Sequence, residues 1–254
     1  MAQLFDRVAP AEAPGPAFSA GAAIGKTFSV WARNFVPFTL VALAIEAPLI
    51  ALTAVHGAEE FPVGWRYLVS FGENLLGLVT TGALTYGVLQ ALRGERPGVG
   101  PMLAVGARRL GWLFLVSLGV GLAVACGLFL LVVPGIIFGV GLYVAVPALI
   151  AEPGSGATEA LGRSWELTRG RRLQVFAVAL VLLIVLFVGT SLLAIPVGFS
   201  AAGTGQIHTG YLLLARIGGT VVSGLFFSAP AVVYHDLRVE KEGVGTETLA
   251  AVFD

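Results

Sequence analysis

Two stretches without a single Asp, Glu, Lys or Arg decide what this chain can fold into. One runs from Leu110 to Ala151, 42 residues, and the other from Leu173 to Ala215, 43 residues. A bilayer with a hydrocarbon core of ~30 Å takes about 20 apolar residues as a crossing helix. Each stretch is therefore long enough for two crossings and too long for one. Membrane β-strands would show ~10-residue segments of alternating polarity, not continuous apolar runs. The composition agrees: 12% of the residues are charged, against about 25% in a soluble domain. The expected fold class is all-α, a polytopic membrane protein with six transmembrane helices.

The expected spans are about 35–55, 65–92, 110–132, 135–151, 173–197 and 210–235. Pro134-Gly135 is a turn dipeptide in the middle of an uncharged run, so it reads as the connection between spans 3 and 4. Residues 1–17 read as a disordered cytoplasmic tail, 18–238 as the six-helix membrane domain and 239–254 as a cytoplasmic C-terminal tail. The first tail has three prolines between Pro10 and Pro16. It lacks the apolar core of a signal peptide, so insertion is expected to rely on an uncleaved first span.

Lys and Arg set the orientation. If the N-terminus is cytoplasmic, 13 of the 15 basic residues fall on that side, and only Arg66 and Arg216 lie on the other. The positive-inside rule reads this bias as both termini in the cytoplasm. Formal net charge is zero, so no global field draws the chain to nucleic acid. The expected partners are membrane lipids, a membrane-protein partner or a second copy of the chain. The one cysteine, Cys126, permits no internal disulfide. His56, His208 and His235 are dispersed, and His56 with His208 lacks the further ligands of a zinc site. No cofactor, metal or catalytic residue is expected, and the chain does not read as an enzyme.

A threefold pattern underlies the spans. Ala23 to Val30 aligns with Ala160 to Leu167, the two differing in kind only at Ser29/Glu166. A weaker echo is Ala104-Val105-Gly106-Ala107 followed by Arg108-Arg109. Each copy precedes a pair of spans. Spans 4 and 6 share Gly-Leu-x4-Pro-Ala, at Gly141–Ala148 and Gly224–Ala231. Three repeats of an amphipathic segment plus a helical hairpin is the economical reading, and repeats are a known way to build transporters. The plainer alternative is that segments preceding a span share a composition.

The segment 157–172 has Ala157, Ala160, Leu161, Ser164, Trp165 and Thr168 on one helical face and Arg163, Glu166 and Arg169 off it. It is expected to lie along the membrane surface, with Trp165 among the lipids. Arg163, Trp165, Arg169, Arg171 and Arg172 are its candidate lipid-headgroup contacts. The alternative role is a topological anchor for span 5. Pro37, Pro48, Pro147, Pro196 and Pro230 lie in or near spans, as simple kinks or as the broken helices of a transport site.

From Val133 to Arg172 the sequence resembles the bacterial membrane proteins grouped as the membrane domain of glycerophosphoryl diester phosphodiesterase, with its uncharacterised six-helix relatives. The residues that carry the resemblance are Pro134-Gly135, Pro147 with Glu152, and Glu159-Ala160-Leu161 with Arg163-Ser164-Trp165. Tyr234-His235-Asp236-Leu237-Arg238 and Glu242-Gly243 add a C-terminal signature. The resemblance implies a six-helix inner-membrane protein and no chemistry. In the phosphodiesterase members a separate soluble domain is catalytic, and no such domain is expected here.

Glu46 is the one charge in the interior of an expected span, some 15–20 Å from either end at ~1.5 Å per residue. A carboxylate there costs about 2.5–3.5 kcal/mol even on lenient insertion scales, so it should face the bundle. Glu73 and Arg216 fall near the outer ends of spans 2 and 6. Glu46, Glu73 and Arg216 are the candidate intramembrane polar cluster. Two alternatives stand beside it: a solitary protonated Glu46, and Glu73 and Arg216 facing the outer headgroups. The expected function is that of a non-catalytic accessory or lipid-interacting protein, with a small-solute or lipid transporter as the alternative.

Overall fold

The computed structural model describes residues 17–57, 62–152, 154–204 and 208–243. The described residues form helices joined by short connections and contain no strand. Three times in chain order a short helix precedes a long pair. The first group is α1 (Ala20–Arg33), α2 (Phe35–His56) and α3 (Val63–Leu92). The second is α4 (Val99–Arg108), α5 (Leu110–Leu130), and α6 (Val132–Gly141) with α7 (Ala145–Ala151). The third is α8 (Ala157–Thr168), α9 (Arg172–Thr204) and α10 (Thr209–Glu242). Counting α6 and α7 as one interrupted span, six helices are long and apolar enough to cross a membrane.

The last helix organises the bundle. At ~1.5 Å per residue, its 34 residues make it about 50 Å long, well beyond a bilayer core. It packs against α1, α2, α3 and α9. Tyr234, Leu237, Ala229 and Val232 of α10 are fully buried in one core with Phe38 and Val41 of α2 and Leu84 and Val88 of α3. The helix ends at Gly243 in the left-handed region (φ 66°), whose amide donates to the Val239 carbonyl, a conformation that glycine adopts without a Cβ penalty. The helix continues four residues past residue 238, where the membrane domain is expected to end. The chain stays helical through Glu242, where Glu240 pairs with Arg171, just before α9, and Glu242 with Arg163 of α8. The tail expected over 1–17 falls, up to residue 16, outside the described residues, as do positions 244–254 of the C-terminal tail.

The α5–α6 turn differs from the expectation. The break is at Leu131, which is extended, and Pro134 sits in the first turn of α6. Proline is tolerated there because a first-turn amide has no intrahelical acceptor to lose. Gly135 is instead a packing residue. A Cβ on Gly127 would lie 2.7 Å from the Gly135 Cα, so the two helices approach to backbone contact.

Span 4 is interrupted at Leu142–Val144, where α6 gives way to α7. The freed backbone groups find partners on α8. Ser164 Oγ and Thr168 Oγ1 both donate to the Gly141 carbonyl, at 2.9 and 3.0 Å, and the Val144 amide donates to Ser164 Oγ. An apolar environment makes such pairing obligatory. The side of α8 that carries Ala160, Ser164, Leu167 and Thr168 is therefore buried in protein. This corrects the expectation of a helix resting with its apolar side on lipid.

Candidate functional site

Two groups of charges stand at opposite ends of α10. The first joins α2, α3 and α10. Arg216 Nη2 donates to Glu73 Oε1 at 3.0 Å and lies 3.5 Å from Glu46 Oε2, within ion-pair reach. The Glu46 side chain is 18% exposed and turned toward the bundle, while that of Glu73 is 43% exposed. The structure thus brings together all three residues of the candidate polar cluster. One guanidinium serves two carboxylates, and Arg216 Nε is buried with no hydrogen-bond partner. A second carboxylate beside an ion pair adds like-charge repulsion.

The second group lies at the end of α10 that leads to the C-terminus. Arg163 of α8 binds Glu152 through Nε at 2.8 Å and Glu242 through Nη2. Glu242 also takes Arg238 Nε at 2.9 Å, one helical turn back. Tyr234 donates its hydroxyl to Glu152 at 3.1 Å. Arg171 pairs with Glu240, and Lys241 donates to the carbonyls of Glu166 and Arg169. On the other side of α10, Lys26 of α1 reaches Asp236 at 2.6 Å and His235 Nδ1 at 3.3 Å. Burial opposes the charge on Arg163, but its hydrogen bonds to Glu242 and Glu152 outweigh that and push its pKa up.

Four of the five candidate headgroup contacts are therefore redirected or engaged. Arg163 and Arg171 are committed to carboxylates. Trp165 lies against Gly141 and Phe138 of α6, with ring centroids 5.6 Å apart for the aromatic pair. Arg172 stacks over the Trp165 ring, 3.8 Å from its centroid. Arg169 is exposed. Sequence reading missed Lys26, Glu152, Asp236, Glu240 and Glu242 as members of the network. The available signal was the dense charge pattern from Asp236 to Glu242, including the Arg238/Glu242 spacing of one turn.

His235 and His208 fall in different surroundings. His235 joins Lys26 and Asp236, and His208 meets the Tyr211 ring edge-on, 6.1 Å between centroids. Among the described residues no group of three His, Cys, Asp or Glu side chains is placed to hold a metal ion. The chain matches no protein-family model, and no curated protein or solved structure is significantly similar to it.

Proposed function

We propose that this chain is a non-catalytic, lipid-interacting protein of the bacterial inner membrane. The observation that carries the reading is α9. It is the most hydrophobic of the spans, with a mean hydropathy of 3.0 over its most apolar 18 residues, only 11% of which are buried inside the protein. Leu183, Ile184, Phe187, Leu192 and Phe199 all project outward. An apolar face of this extent needs a cover of lipid or another chain. The charges at the start of the same helix are held by α8 and α10, so the face is presented from a fixed base.

The expected result is a rise in thermal midpoint when bacterial phospholipid is added to the detergent-solubilised protein. Ligand present at about 100 times its Kd stabilises by ~2.7 kcal/mol. No shift at saturating lipid contradicts the reading.

In this reading both termini are cytoplasmic, supported by the 13-to-2 division of basic residues. A cysteine at position 100 should be protected from an impermeant reagent in intact cells, and one at position 57 should be labelled. The reverse pattern inverts the orientation. The likeness to the phosphodiesterase membrane domain is consistent with this assignment and rests on the residues quoted for it.

A second reading, transport, is favoured by one observation: the Glu46–Arg216–Glu73 group at the junction of α2, α3 and α10. Mid-membrane ionisable groups mark many solute pathways. Under this reading Glu46→Gln abolishes solute flux in proteoliposomes while leaving expression intact, and unchanged flux rejects it.

A further inference from the structure

Arg172 differs from its neighbours Arg163 and Arg171. Its charge meets no carboxylate among the described residues, and its Nε is buried without a hydrogen-bond partner. Stacking on Trp165 holds the guanidinium in place, a contact that fixes position without neutralising charge.

Beside it lies a cleft of about 210 Å³ between α6 and α9, lined by Ile136, Ile137, Val140, Leu173 and Phe176. The walls are wholly apolar apart from Arg172. Arg172 is the first residue of α9, so the amides of the first turn have no intrahelical acceptor and add partial positive charge. The pairs Arg171–Glu240, Gly189–Val222 and Gly218–Leu193 run α9 antiparallel to α10. They place Arg172 at the charged end of the bundle, opposite Arg216. The immediate surroundings are cationic. The neighbouring Arg171 is paired with Glu240, while Lys241 donates only to the backbone carbonyls of Glu166 and Arg169 and so adds further positive charge at this end of the bundle.

The geometry points to a site for one anionic phospholipid, with its phosphate at the Arg172 guanidinium and the α9 amides and an acyl chain in the α6–α9 cleft. The inference rests on the lipid-binding reading above and names the lipid class and the place. Guanidinium and helix N-terminus are both matched to phosphate oxygens. A zwitterionic lipid would bring its own cation into a region that already holds surplus positive charge. The apolar walls require a tail, which separates this site from one for free phosphate.

The test is displacement of a fluorescent phospholipid from the full chain in neutral detergent micelles. Phosphatidylglycerol should compete about tenfold better than phosphatidylcholine, the ratio that ~1.4 kcal/mol sets. Arg172→Gln should bring the two within twofold, whereas Arg169→Gln, at an exposed neighbour, should keep most of the preference. Ile137→Trp, which fills the cleft at a surface position, should weaken both lipids. Inorganic phosphate should not displace the probe. Retention of the full preference in Arg172→Gln overturns the site, as does displacement by inorganic phosphate. If Arg172→Gln does not yield monodisperse protein, Ile137→Trp decides: unchanged lipid binding overturns the site and weakened binding supports it. Loss of the site with wild-type lipid binding intact leaves the broader reading standing, and absence of any binding by the wild type removes both.

Discussion

Arg216→Met is expected to destabilise the bundle by about 2 kcal/mol, while Glu46→Gln changes stability by less than ~0.5 kcal/mol. The difference follows from the stoichiometry of the cluster. Arg216 serves two carboxylates, Glu73 at 3.0 Å and Glu46 at 3.5 Å. Removing the arginine leaves two neighbouring acids with no counter-charge. Removing one acid leaves a balanced Arg216–Glu73 pair. A fully buried pair broken on one side costs 3–5 kcal/mol. The exposure of Glu73, at 43%, lowers the figure. Thermal or SDS unfolding in bicelles measures both variants. Equal destabilisation by the two substitutions would make Glu46 a structural partner and remove the main argument for transport.

Arg163→Met is expected to cost a similar amount, about 2 kcal/mol, and to loosen the end of α10. Among the described residues, Arg163 is the one side chain that joins Glu152, at the end of α7, to Glu242, at the end of α10. Without it, among the described residues, Glu152 keeps the Tyr234 hydroxyl and Glu242 keeps Arg238. The side chains are between 24% and 32% exposed, so the estimate lies between the 0–1 kcal/mol of surface pairs and the ~3–5 kcal/mol of buried ones. Because the folded protein raises the pKa of Arg163, its contribution is fully present below the unfolded-state value and is lost only as pH rises through the folded one. Around neutral pH the loss should therefore be constant. Hydrogen exchange should show faster opening of amides 236–242 in the variant. Unchanged exchange there would mean that the other pairs suffice.

The spans were legible because charge is nearly absent from them, and a bilayer allows few other readings of 40 uncharged residues. Glu46 stood out for the same reason, and depth counting alone put Glu73 and Arg216 in its vicinity. The turn between spans 3 and 4 was not legible at residue level. Proline suits a turn and the first turn of a helix equally well, and the backbone contact of Gly127 with Gly135 is a tertiary fact. The amphipathic reading of α8 found its apolar side correctly but not what covers it, since protein and lipid select the same residues. Ser164 and Thr168 look like ordinary small residues until the interruption of span 4 gives them the Gly141 carbonyl to hold. The charge network was hidden by distance along the chain: Arg171 and Glu240 are 69 residues apart and Arg163 and Glu242 are 79 apart. Helical periodicity carries no information at such separations, and the final turn of α10 reads as a solvated tail until its partners are known.

Lipid occupancy, the central claim, is tested most directly by native mass spectrometry of the full chain released from nanodiscs that contain phosphatidylglycerol and phosphatidylcholine in equal amounts. The account predicts that the protein retains phospholipid after the nanodisc is stripped and that the retained species is predominantly phosphatidylglycerol. A folded chain that appears only at its bare mass, at collision energies that preserve its compact charge states, would contradict the account.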